Sequence, residues 1–360
     1  MTKFALVFSL VIGTVVLFGL PATANSVSPK ALEIYFIDVE GGQSTLLVTP
    51  SGESLLIDAG WAGSGTLGEK PGDPAKSRDA NRIVAAARDA GIKQIDYALI
   101  THFHPDHDGG VVELAQLIPI RHFIDHGGLP AEAHGVSVLE DPFEAYLAVR
   151  KKVPHTEPKP GDRLPLTDVD ATVVSSAEST ITKPLAHAGK RNTLCRESPL
   201  PAGDTMENVR STGIVLAFGK FRFLDIGDLS GKPLFDLACP ESLVGPVDVY
   251  LVAHHGDADA ADPATFAAFR PRVAIMNNGR KKGGALETYK VLHNVSGLED
   301  VWQLDFSENA ADQNFAPERI ANLNDSTAYW IKLLAAQDGS FRVQNGRTGE
   351  WKSYPARHSP

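Results

Sequence analysis

Cysteine is almost missing from this sequence: its 360 residues include only Cys195 and Cys239, too few for a scaffold stapled by several disulfides. An oxidising compartment would permit one bond between them. Two unpaired thiols are the alternative, because separation along the chain says nothing about distance in space. A basic excess is missing too. Lys and Arg number 34 against 44 Asp and Glu, a net charge of -10, which argues against general attraction to nucleic-acid phosphates or anionic lipid and leaves only a local basic groove open. Beyond Leu20 no apolar run is long enough to span a bilayer, and the two halves of the chain show no clear repetition. What is present is ordinary for a globular protein with a large core, 43% hydrophobic and 22% charged.

The one long apolar run lies at the start. "MTKFALVFSLVIGTVVLFGLPATANS" has Lys3, an apolar stretch over 4–20, then Pro21 and the small residues Ala22-Thr23-Ala24. This predicts a cleaved secretory signal over 1–24 and a soluble mature protein that is secreted or periplasmic. An uncleaved anchor is the alternative, and Pro21 with the small residues favours cleavage.

After the signal, "LEIYFIDVEGGQSTLLVTPSGESLLIDAG" predicts strands over 34–39, 45–49 and 54–57, with a turn at Pro50-Ser51-Gly52. "RDANRIVAAARDAGIKQ" places Ile83, Val84, Ala87 and Ala90 on one helical face and stops at Gly91. "IDYALIT" returns as a strand and "GGVVELAQLI" as a helix. In the second half "ATVVSS", "TGIVLAF", "FRFLDIGD", "VDVYLVAHHG" and "VAIMNN" are strand-like, while "PATFAAF" and "ETYKVLHNV" are helical. Residues 178–208, rich in Pro, Gly, Arg and Thr, form a long loop near the site rather than a linker, since strands resume directly after it. Beyond residue 296, aromatic strand-like pieces alternate with polar turns and carry no recognisable chemistry. There "AYWIKLLAAQDGSFRVQNGRTGEWKSY" reads as a hairpin turning at Ala-Gln-Asp-Gly.

"LITHFHPDHDGGV", residues 99–111, sets His102, His104, Asp106 and His107 at the end of an apolar strand. His102 and His104, two apart on a strand exit, can point to one side, with Asp106 and His107 following at the turn into a helix. Imidazoles and carboxylates are the ligands of zinc, and also of manganese or iron, and drawing several from one short loop lowers the entropy cost of assembling a site. Without a metal, crowded histidines repel when protonated and lack partners when buried and neutral.

These residues match the His-x-His-x-Asp-His motif of the metallo-β-lactamase fold superfamily, which the chain resembles. More narrowly, "IDVEGGQSTLLV", "LLIDAG", "NVRSTGIVLAF", "FLDIGDL" and "VYLVAHHG" recur in the order seen in the hydrolase domain of the competence protein ComEC/Rec2 and its free-standing secreted relatives. The resemblance covers residues 32–295. It implies an α/β fold, the four-layer αββα sandwich with metals at one edge, over 25–296, followed by a C-terminal extension over 297–360 packed on the same domain. It also implies two divalent metal ions, zinc first and manganese as the alternative. His102 and His104 would bind one ion, Asp106 and His107 the other, and Asp228 would bridge them. Asp58 would orient a ligand histidine through its free ring nitrogen, although an Asp before Gly at a strand end is by itself more often a turn residue. In "AHHG", His255 closes the second site and His254 faces substrate, an order that could be reversed. Where the wider superfamily has a third histidine this chain has Asn208, a weaker ligand that leaves the first ion loosely held. His187 is a possible substitute.

The activity implied is hydrolysis by a hydroxide generated between the two ions, with Asp106 accepting its proton. The closest relatives in motif act on phosphodiesters, so an anionic small-molecule diester is the expected substrate, with Arg191, Arg196 and Arg210 available for phosphate oxygens. Nucleic acid is not preferred, because no basic stripe accompanies the motifs. Carboxylic ester, lactone, thioester or β-lactam hydrolysis would use the same metals. A vestigial metal-binding protein draws support from Asn208 and from the acidic "HHGDADAAD" loop.

Overall fold

The structure is a computed structural model that describes residues 1–2, 31–195 and 206–357. Nearly all of the expected signal, and Arg196, lie outside the described residues. Two sheets stack face to face. The first takes β1 (Leu32–Phe36), β2 (Thr45–Val48), β3 (Ser54–Ile57), β4 (Tyr97–Leu99), β5 (Phe123–Ile124) and β6 (His155–Thr156). The second takes β7 (Asp170–Ser176), β8 (Ser179–Thr180), β9 (Gly213–Phe218), β10 (Phe221–Asp225), β11 (Val249–Leu251), β12 (Val273–Met276), β13 (Asp300–Asp305) and β14 (Ile320–Asn322). The chain then returns to the first sheet with β15 (Ile331–Ala335), β16 (Phe341–Asn345) and β17 (Trp351–Tyr354). The orders are β17-β16-β15-β1-β2-β3-β4-β5-β6 and β14-β13-β12-β11-β10-β9-β7-β8.

Helices α1 (Arg78–Asp89), α2 (Val111–Leu117) and α3 (Ser137–Arg150) cover the first sheet, and α4 (Gly231–Ala238), α5 (Pro263–Phe269) and α6 (Leu286–Leu292) cover the second. Three apolar clusters fill the three interfaces of this αββα sandwich. Ile34, Phe36, Leu47, Leu55 and Ile57 point between the sheets onto Leu216, Phe221 and Phe223. Their neighbours Tyr35, Leu46 and Leu56 point the other way, onto Ile83 and Val84 of α1. Both faces of each central strand are therefore buried, which is why these strands read as continuous apolar runs.

Several elements depart from the sequence expectations. Helices α3 and α4 went unread because Pro142 and Pro233 fall within them and blur the helical period. The residues after 296 add to the outer ends of both sheets: β13 pairs in parallel with β12, and β15 pairs with β1. The last part of the chain thus extends both sheets of the same domain, with the β15–β16 hairpin where the Ala-Gln-Asp-Gly turn placed it. Cys195 and Cys239 form a disulfide with Cα atoms 5.7 Å apart, tying the loop after β8 to the end of α4.

Candidate metal centre

Strand β3 runs parallel to β4, and β10 runs parallel to β11, so the loops leaving their C-terminal ends meet at one edge of the sandwich. Those loops carry Asp58, residues 101–107, Asp228, and the pair His254 and His255. Backbone bonds lock them together: Thr212 N donates to Thr101 O at 2.8 Å, Ala59 N to His107 O at 2.8 Å and His254 N to Gly227 O at 3.1 Å. His254 and His255 both adopt left-handed backbone, at φ 49° and 51°. Such strain in consecutive non-glycine residues is found where a site needs it, and here it sends the two imidazoles in different directions.

Two groups of ligand atoms result, both including Asp228. In the second group the His107 and His255 Nε2 atoms are 3.3 Å apart, and each lies 3.2 Å from Asp228 Oδ2. Asp106 Oδ2 lies 3.2 Å from His255 Nε2 and 3.4 Å from His107 Nε2. A tetrahedral ion with bonds of about 2.0 Å requires ligand edges of about 3.3 Å, so this set fits a divalent cation. In the first group His102 Nε2 and His104 Nδ1 are 2.9 Å apart, with Asp228 Oδ2 3.9 Å from His102 Nε2. Asp228 Oδ1 and Asn208 Oδ1 are buried without a hydrogen-bond partner, a costly state for an oxygen unless a cation meets it.

The far nitrogens are also fixed. Asp58, itself at φ 61°, accepts from His107 Nδ1 at 2.7 Å and from the Thr101 hydroxyl and amide at 2.8 and 2.7 Å. Thr101 Oγ1 is 3.0 Å from His102 Nδ1. Glu207 Oε2 accepts from Phe103 N at 2.8 Å and from His126 Nε2 at 3.0 Å, pinning the motif loop from behind. These contacts orient the ligand rings, as outer carboxylates and hydroxyls do in metal sites.

Electrostatics ask for positive charge in the middle. Burial opposes a proton on His107, but Asp228, Asp106 and Asp58 outweigh it and lift the ring well above its ordinary pKa. Burial would raise Asp228, yet His107, His255 and His254 hold it far below the usual carboxylate range. Asp106 is likewise held down against burial, here by Lys282 and His107. His102 is pushed well below its ordinary value by burial and by His107 and His104, leaving a neutral ligand. Burial works against charge on His254, and Asp228 and Asp259 overcome it to lift the ring to about 9. A cation beside Asp228 opposes that lift.

All seven residues expected to hold metal lie at this edge or beside it, with different contacts. His255 joins the second group. His254, expected to face substrate, is held between Asp259 and Asn208. His187 and Arg191 lie against Ser242 and Gly245, lining a separate cavity with Arg270, and neither joins the ligand groups. Arg210 is paired with Glu178 at 2.5 Å. The cation that does reach the site is Lys282, whose Nζ donates to Asp106 Oδ2 at 2.5 Å and to Gly41 O at 2.7 Å. Sequence reasoning passed it over: "RKKGG" follows "VAIMNN", and only the Gly279 and Gly283 turns, packed on Glu40 and His255, bring it back to the metal loop. Thr101 and Asp259 were missed too, one directly before the motif and one inside the acidic loop.

Residues 38–189 match the family model of the Metallo-beta-lactamase superfamily. Over that stretch the chain has a metallo-β-lactamase superfamily domain. The match takes in Asp58 and the motif histidines, while Asn208, Asp228, His254 and His255 lie beyond it. No curated protein matches the chain. Similar solved structures include a Cronobacter sakazakii metallo-β-lactamase with a HARLDQ motif, at 18% identity and TM-score 0.33 over 55% of this chain and 60% of that one. MEM-A1, a subclass B3 metallo-β-lactamase from a soil metagenome library, matches at 15% identity and TM-score 0.37 over 67% and 86%. A diphosphatase from the PhnP family matches at 13% identity and TM-score 0.38 over 83% and 97%. The superfamily commonly binds two metal ions, and the donor set at the sandwich edge suits that number.

Proposed function

We propose that this chain is an exported hydrolase that holds two divalent ions, zinc first and manganese as the alternative, and cleaves phosphodiesters. The observation that carries the reading is Asp228 Oδ2, within reach of His102 on one side and of His107 and His255 on the other. Two ions held there would polarise a substrate oxygen and acidify a water. The chain's own residues supply the rest. His102 and His104 would hold one ion with Asp228, and Asp106, His107 and His255 the other. Asp106 would take the proton of the attacking water. Lys282 Nζ keeps Asp106 ionised and brings a positive charge beside the ions, suited to a phosphate oxygen. The motif order supports kinship with the hydrolase domain of ComEC/Rec2 competence proteins and their free-standing secreted relatives, and hence an anionic diester, while the lack of a clear basic stripe favours a small molecule over nucleic acid.

The test is a panel of bis-p-nitrophenyl phosphate, p-nitrophenyl acetate, a lactone and a cephalosporin at equal metal loading. The diester is expected to turn over fastest. Faster hydrolysis of the lactone or cephalosporin transfers the reading to carboxylic substrates, and no turnover in any metal form leaves a metal-binding protein. For export, mass spectrometry of the secreted or periplasmic protein is expected to find Asn25 at the N-terminus. Intact Met1 on membrane-bound material overturns it.

A further inference from the structure

We infer that Asp259 and His254 form a positioning relay that turns the amide of Asn208, so that its oxygen serves as a ligand to the ion held by His102, His104 and Asp228. The inference rests on the two-ion reading above and concerns how this chain completes a site that has an amide in place of an imidazole. His254 Nδ1 lies 2.8 and 2.9 Å from the two carboxylate oxygens of Asp259. An ionised carboxylate only accepts, so the Nδ1 proton faces Asp259, and in the neutral ring that a cation beside Asp228 would favour, Nε2 presents a lone pair. Asn208 Nδ2 lies 3.3 Å from that Nε2 and is the end of the amide that can donate to it.

With its nitrogen engaged, the amide has one orientation left. Its Oδ1 is buried and has no hydrogen-bond partner. The residues next to Asn208 make contacts with the first group. Ser211, three residues after Asn208, places Oγ 3.4 Å from His102 Nδ1, and His254 Nε2 is 3.7 Å from Asp228 Oδ2. The left-handed backbone at His254 and His255 lets one ring serve the amide while the next ligates directly. Asp259 arrives by a short turn from Asp257, whose carboxylate accepts from Ala258 N. The acidic loop after "AHHG" is thereby explained: its second aspartate holds the relay. A carboxylate–histidine pair ordinarily orients a ligand imidazole, and here it orients a ligand amide one side chain further on.

The test reads metal binding, not turnover. The affinity of each zinc ion is measured by competition with a chromogenic chelator, with zinc content counted by elemental analysis. Asp259→Ala is expected to weaken the looser ion about ten- to a hundredfold and leave the tighter ion within about twofold, which also shows that the variant is folded. Asp259→Asn, which can still accept from Nδ1, retains most of the affinity. In an Asn208→His background, where an imidazole ligates without the amide's help, Asp259→Ala changes the looser ion by less than about twofold. An equal loss in both backgrounds, no loss in either, or loss of both ions overturns the relay. So does a wild type that holds fewer than two ions at saturating zinc, or an Asn208→Ala variant that keeps the looser ion while His254→Gln loses it, since His254 would then be the ligand. A protein that shows this coupling but hydrolyses no diester keeps the relay and loses only the phosphodiesterase reading.

Discussion

Asp228→Ala is expected to lose both metal ions together and to leave no measurable turnover. Asp228 Oδ2 is the atom common to the two ligand groups, 3.2 Å from His107 Nε2 and His255 Nε2 and 3.9 Å from His102 Nε2. Two doubly charged ions about 4 Å apart repel by about 4 kcal/mol even at the dielectric of water and by about 17 kcal/mol at an effective value near 20. A bridging carboxylate offsets much of that repulsion. Its removal also leaves His107 with two of its three neighbouring carboxylates. Elemental analysis of the purified variant is expected to show neither ion, with diester hydrolysis at background. Two retained ions in Asp228→Ala would show that Asp228 is a lining residue and not the bridge.

Asp106→Asn is expected to separate binding from chemistry. The amide oxygen can still ligate, so the second ion stays with reduced affinity, whereas an amide cannot accept a proton from the attacking water. Loss of a general base costs on the order of a hundredfold or more in turnover. The substitution also breaks the ion pair with Lys282 Nζ, so Lys282→Met is the companion variant. That change should lower turnover by less, because Asp106 keeps its carboxylate. Measurement of kcat on bis-p-nitrophenyl phosphate at matched zinc content decides the matter. Equal kcat in Asp106→Asn and wild type assigns the proton to another group.

The sequence by itself determined the parts of this protein that are local. Residues 102–107 are close enough in the chain that strand geometry alone gathers them, and Asp58 and Asp228 stand directly after apolar strands whose burial on both faces forces a continuous hydrophobic pattern. The strands and helices followed from that periodicity, and the αββα sandwich from the resemblance to the metallo-β-lactamase superfamily. Tertiary structure decided whatever depends on which loop ends touch. Only the left-handed turn at His254 and His255 separates two adjacent imidazoles, one to a ligand group and one to Asn208. Lys282 is 176 residues from Asp106, and no local pattern distinguishes it from the neighbouring Lys281. Arg191 and His187 carry suitable chemistry but follow their loop to a separate cavity beside the end of α5. The same holds for the strands after residue 296, whose alternation shows that they are strands and not which sheet they enter. Periodicity reports burial along one element, while a site is made by distances between elements, which packing and backbone hydrogen bonding fix only when the whole chain is in place.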